Sequence, residues 1–202
     1  MKDIELIHGD SLQALRGYGD NHFDVAIVDP EFGINIGHSP RLVTDKGLKA
    51  KDWDIKPIDH RYFDELFRVS KNQIVWGGNY YALPATKHCI VWDKMQPESM
   101  SFGMFDFAWT SYSGANKMFR SSVLKEKNKI HPTQKPVTLY KWLLHNYTKE
   151  NDLILDTHLG SGSIAIACHY MKRKLIAYEI DSEYYENACK RFKEQTAQQA
   201  LW

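Results

Sequence analysis

Asp29-Pro30-Glu31-Phe32-Gly33 puts a carboxylate, a stiff turn and an aromatic plate into one short tract. A carboxylate accepts hydrogen bonds, and an aromatic ring beside it offers a flat face to a planar partner. Asp156-Thr157-His158-Leu159-Gly160-Ser161-Gly162-Ser163 is a second tract with chemical potential. Here an acid ends an apolar run, and glycines let the backbone turn tightly and approach a ligand. The first tract therefore reads as a holder for a base, the second as a holder for a nucleoside cofactor.

The elements that must position these tracts are legible from periodicity. Both follow strand-like apolar runs, at residues 25–28 and 153–155. Further strands are expected at 4–7, 73–76, 89–92, 105–110 and 175–178. Helices are expected at 11–15, 59–69, 137–147, 163–171 and 184–194, with Pro136 at the start of one of them. Residues 34–57 are polar and broken by glycine and proline, as in a long binding loop. Residues 113–130 look irregular and basic. Strands alternating with helices predict an α/β fold, a doubly wound and mostly parallel sheet covered on both faces. Ligands of such sheets gather at the carboxyl ends of strands, where Asp29, Asp156 and Glu179 all fall.

With 202 residues and 43% hydrophobic content, the chain can build one substantial core, so a single domain over 1–202 is expected. The net charge of +1 gives no global argument for a polyanionic partner. Locally, Lys117, Arg120, Lys125, Lys127, Lys129 and Lys135 cluster with only Glu126 opposing them. Such a run is either a solvated face or a phosphate-contacting strip. Cys89, Cys168 and Cys189 form no Cys-x-x-Cys pair, so neither a disulfide framework nor a metal site is expected. The apolar runs are too short to span a bilayer and the start is no signal peptide. A cytoplasmic setting with no membrane partner is the expectation.

The glycine turn departs from Gly-x-Gly-x-x-Gly, because Ala165 stands where the third glycine would be, and no Gly-Lys-Ser/Thr follows. Pyrophosphate binding is not favoured. Glu179 ends the next strand, about twenty residues on, where a carboxylate can accept both hydroxyls of a ribose.

At these residues the chain resembles a known family. Asp156 to Ser163 is similar to the S-adenosylmethionine (AdoMet) motif Asp-x-Phe-x-Gly-Ser-Gly of DNA amino-methyltransferases, with His158 in place of Phe. Ala177-Tyr178-Glu179-Ile180-Asp181, followed by Tyr184, Ala188 and Arg191, resembles their next motif. His131-Pro132-Thr133-Gln134-Lys135-Pro136 matches the block that precedes the glycine motif in the beta group. Asp29 to Gly33 is similar to their catalytic Asp-Pro-Pro-Tyr/Phe-Gly, with Glu31 in place of the second proline. The order is that of the circularly permuted beta group, with a Rossmann-like methyltransferase fold.

The resemblance implies AdoMet as cofactor. Asp10 would contact its adenine, Glu179 its ribose, and the turn Asp156, His158, Leu159, Gly160 and Gly162 its methionine portion. Thr133 and Lys135 would help close the pocket. For Thr133 to Pro136 a plain helix entry is the simpler alternative. Residues of about 1–110 would carry chemistry, 112–130 recognition and 131–195 the cofactor. Asp29 and the Pro30 carbonyl would accept the two hydrogens of an exocyclic amine, while Phe32 stacks on a base rotated out of duplex DNA. Asp29 as first acceptor favours adenine N6, with cytosine N4 as the alternative. Chemistry at cytosine carbon 5 is disfavoured, since no cysteine follows a proline. Lys117, Arg120, Lys125, Lys127 and Lys129 would meet phosphates. So small a recognition surface implies a short target or a homodimer supplying a second surface. Glu31 and His158 also leave open a non-catalytic binding module. Trp76 and Tyr80 are further pocket candidates.

Overall fold

The computed structural model describes residues 3–39, 50–56, 58–100, 103–122 and 129–197. The chain opens with β1 (Ile4–His8), α1 (Ser11–Leu15) and β2 (Phe23–Val28). Next come α2 (His60–Val69), β3 (Ser70–Trp76), the hairpin β4 (Cys89–Asp93) and β5 (Phe105–Thr110), and β6 (Lys117–Arg120). The last third is α3 (Val137–Tyr147), β7 (Leu153–Asp156), α4 (Ser163–Met171), β8 (Lys174–Glu179) and α5 (Ser182–Ala197).

All these strands join one eight-stranded sheet in the order β1-β8-β7-β2-β3-β5-β4-β6. It is mostly parallel, β5 alone running antiparallel to both its neighbours. Burial on both faces follows from the period-2 alternation of a strand. Val25 and Ile27 of β2 enter one core with Leu139 and Leu143 of α3 and Ile164 of α4. Ala26 and Val28 enter the other, with Tyr62 and Leu66 of α2. The β7 and β8 strands divide in the same way, Ile154 and Leu175 to the first core, Leu155 and Ile176 to the second.

Local signals set the helix starts. Asp59 caps α2, its carboxylate accepting from the Arg61 amide at 2.9 Å. Pro136 stands at the N-cap of α3 with φ −66°, a value its ring already fixes.

The 113–130 stretch is not wholly irregular. β6 is an edge strand whose one inward residue, Phe119, packs on Trp142 at 5.7 Å. An edge strand needs so little apolar sequence that periodicity misses it. The 34–57 stretch holds two short 3₁₀ turns, Ile36–His38 and Asp52–Asp54, with 40–49 and 57 outside the described residues. No described helix is long and apolar enough to cross a membrane.

Candidate active site

Parallel β2, β7 and β8 deliver Asp29, Asp156 and Glu179 to one edge of the sheet. Asp29 follows β2 directly, and its Oδ2 accepts a hydrogen bond from Lys135 Nζ. Lys135 is buried, with its ammonium 5.2 Å from the centre of the Trp76 ring. Asp29 Oδ1 is buried with no hydrogen-bond partner among the described residues. Burial lifts the Asp29 carboxyl above its ordinary value, and the charge of Lys135 opposes that rise.

The loop after Asp29 is held from several sides. Tyr81 Oη donates to the carbonyls of Pro30 at 2.9 Å and Glu31 at 3.1 Å. A carbonyl has two lone pairs, so Pro30 keeps one. Buried Asp54 accepts from the amides of Gly33 at 2.8 Å and Ile36 at 2.9 Å, one to each carboxylate oxygen. The Phe32 ring lies so close to Gly77 that a Cβ there would stand 2.2 Å from it. Tyr80 is stacked on Phe32 at 4.8 Å and 13°. Phe32, Trp76, Gly77, Tyr80 and Asp106 line a cleft that ends on Lys135.

On the other side of Lys135 lies a second cleft, lined among others by Asp29, Glu31, Thr133, His158, Gly160 and Glu179. Leu159 and Lys135 line it too. Glu179 accepts from the Gly160 amide at 2.7 Å through one oxygen and from the Asp181 amide at 3.0 Å through the other. Burial raises its carboxyl above the ordinary range. Asp156 lies beneath the turn, accepts from the His158 amide at 3.0 Å and is pushed up to about 7 by burial. Gly162, at φ +72°, begins α4 and packs on Ala188, so it shapes the turn without lining the cleft.

His158 Nε2 stands 3.2 Å from Glu31 Oε2. Burial disfavours the imidazolium, yet the charges of Glu31, Asp156 and Glu179 outweigh it and lift His158 to about 9. Burial likewise resists ionisation of Glu31, and His158 more than offsets it, leaving that carboxyl below its usual range.

Other expected residues fall elsewhere. Asp10 sits beyond β1, at the same sheet edge, but its carboxylate caps α1 through the amides of Leu12 and Gln13. It does not line the cleft. Lys117 and Arg120 occupy opposite ends of β6. Arg120 is level with Asp93, on the site's side, and pairs with it at 3.1 Å. Lys117 is at the far end, bonded to Asn146 at 2.9 Å. Lys129 lines a groove beside Phe32 and Thr133. Lys125 and Lys127 lie outside the described residues. Sequence reasoning missed Tyr81 and Asp54, which act alone and belong to no motif. It also missed Lys135 as the partner of Asp29.

A family model described as DNA methylase, of the N6/N4 methyltransferase type, matches residues 38–190. The type II methyltransferase M2.LlaDCHI of Lactococcus lactis subsp. cremoris is 39% identical over 240 residues, covering 92% of this chain and 88% of that protein. M.HpaI of Haemophilus parainfluenzae is 22% identical over 243 residues, covering 94% and 74%. Among solved structures, the M1.HpyAVI–SAM complex aligns with a TM-score of 0.61 at 19% identity, over 93% of this chain and 98% of that one. The PvuII DNA methyltransferase (cytosine-N4-specific) aligns with a TM-score of 0.64 at 15% identity, over 96% and 90%.

Proposed function

The chain belongs to the N6/N4 DNA methylase family, and from that premise we propose that it transfers a methyl group from S-adenosylmethionine to adenine N6 in duplex DNA. The observation that carries this reading is the divided Asp29 carboxylate, one oxygen held by Lys135 and the other without a partner among the described residues. A lone buried acceptor on a residue that lines the second cleft suits an amine hydrogen, because a buried acceptor left without a donor is costly.

The residues of the second cleft fit a nucleoside donor. Each Glu179 oxygen accepts one backbone amide and keeps a lone pair for a ribose hydroxyl. Gly160 lines the cleft with its backbone, as a close-packed methionine chain requires. The donor supplies, when bound, a methyl already activated on a sulfonium, so no protein nucleophile is called for.

The chain's own groups do the rest. Asp29 Oδ1 takes one amino hydrogen and the remaining lone pair of the Pro30 carbonyl takes the other, aiming the nitrogen lone pair at the methyl. The surplus proton of the methylated nitrogen would leave along the hydrogen bond to Asp29, the group that already accepts it. Burial raises the proton affinity of that carboxylate, and the charge of Lys135 opposes the rise. Phe32 receives the base on its face once exposed Tyr80 swings off it. Arg120, at the site end of β6, and Lys129, beside Phe32, would meet phosphate on this side. The chain is read as one methyltransferase domain in permuted order, its catalytic loop preceding its cofactor loop.

The test is incubation with labelled AdoMet and mixed-sequence duplex DNA, followed by nucleoside digestion. Label is expected on N6-methyladenine. Label on N4-methylcytosine alone would move the reading to the other amine, and no label would overturn it. Asp29→Ala should abolish transfer while calorimetric AdoMet affinity changes little.

A further inference from the structure

The two departures from the family motifs, Glu31 for proline and His158 for phenylalanine, meet each other across the site. The parallel register pairs Val25 with Ile154 and Ala26 with Leu155, and carried onward it brings Asp29 level with His158. Beyond the strand ends there is no ladder to hold the catalytic and cofactor loops together. The Glu31–His158 pair spans that gap, with side-chain exposures of 21% and 16%. We infer that this ion pair is a strut that fixes the spacing of the two loops, and that Glu31 and His158 are positioning residues for methyl transfer. The inference rests on the methyltransferase reading above.

Both ends of the strut are anchored. The other ring nitrogen of His158 shares a hydrogen bond with Thr157 Oγ1 at 2.8 Å, and Thr157 Oγ1 shares another with Tyr62 Oη at 2.5 Å. Tyr62 is fully buried in α2 and meets the imidazole edge-on, its ring centre 5.5 Å away. At the far end, Tyr81 grips the backbone of Glu31 and Pro30. The tie therefore runs from one helix, through both loops, to the segment after β3. The two departures supply opposite charges, and Glu31 is the carboxylate in direct contact with the His158 ring. A cross-loop ion pair thus takes over the stiffening that a second proline would supply within one loop. The charged groups facing His158 are Glu31, Asp156 and Glu179, with the Asp29–Lys135 pair beyond them.

The experiment uses the full chain and compares Glu31→Gln, His158→Phe, Glu31→Pro and the double variant Glu31→Pro/His158→Phe. Single-turnover transfer and the KM for AdoMet are measured beside the NMR titration of the His158 imidazole. Glu31→Gln and His158→Phe are each expected to lower kcat by about 10-fold or more, since small misplacements of reacting groups are costly. AdoMet KM should move far less, and the double variant should recover activity above His158→Phe alone. In Glu31→Gln the imidazole midpoint should fall. An unmoved midpoint, unchanged kcat, or single effects that simply multiply in the double variant would overturn the strut. A wild-type chain that methylates no base overturns the methyl-transfer reading itself, and the titration then reports whether the pair exists apart from that failure.

Discussion

Lys135 reaches across 106 positions of sequence to hold one oxygen of Asp29, and leaves the other without a partner among the described residues. The pairing divides the carboxylate into a held oxygen and an open one, which on the proposed function accepts the substrate amine. It also opposes the upward push of burial on the Asp29 carboxyl. Burial raises the Asp29 carboxyl and Lys135 restrains it, so activity should be lost as pH falls through that raised value. Lys135→Ala removes the restraint, and the acid limb of the rate profile should move to higher pH. At neutral pH the rate should drop by roughly 10²-fold, the usual cost of losing one oriented charge contact. Single-turnover rates across the acid range check both; an unmoved limb would detach Lys135 from catalysis.

A second pH effect should appear on the alkaline side. The His158 imidazole is lifted to about 9, above its ordinary 6.5. A base with a raised folded-state pKa lends stability that is whole below the unfolded value and is lost as pH rises through the folded one. The window is therefore about 6.5 to 9, and the loss is at most about 3 kcal/mol. Melting midpoints of the wild-type chain should decline across this window, and those of His158→Phe should decline less.

Gly77 should tolerate no side chain. Its φ of +68° already disfavours one, and an added Cβ would collide with the Phe32 ring. Gly77→Ala should displace that ring and lower kcat/KM for DNA by about 10-fold or more, in keeping with the 1–3 kcal/mol of base stacking. Calorimetric affinity for AdoMet should be unchanged, since Gly77 lies on the base side.

Asp54→Asn is nearly isosteric yet should be damaging. The native carboxylate accepts one amide on each oxygen, whereas an Asn must turn its NH2 towards either Gly33 or Ile36. Urea unfolding should show a loss of about 1.5–3 kcal/mol, the scale of a charge-assisted hydrogen bond. Methyl transfer should fall with it.

What could be read from sequence was what neighbours in sequence decide. The β2 and β7 loops announce themselves because acid, turn and aromatic are contiguous. The apolar runs of β2 and β8 announced strands covered on both faces, but which residues enter which core came from the packing of α2, α3 and α4. Lys135 could be placed in a motif, but nothing near it names Asp29 as its partner. Asp10 had a legible second role, an acid beside the start of a helix, which its cap of α1 fulfils. The basic run gave the number of charges and not their direction. Once β6 is extended, Lys117 and Arg120 stand roughly 10 Å apart at about 3.3 Å per residue, on different ends of the sheet.

The strand order has a bearing on how the molecule is made. Of the described strands β1 is the earliest in sequence, yet the neighbour it pairs with is β8, and β7 slots between β8 and β2. Until synthesis reaches Glu179, the first strand has nothing to zip onto and the middle of the sheet gapes. Tyr62, Asp29 and Phe32 must then wait through most of translation for the loops they serve. The sheet is therefore completed by pairings between distant parts of the chain, the contacts that are slowest to form.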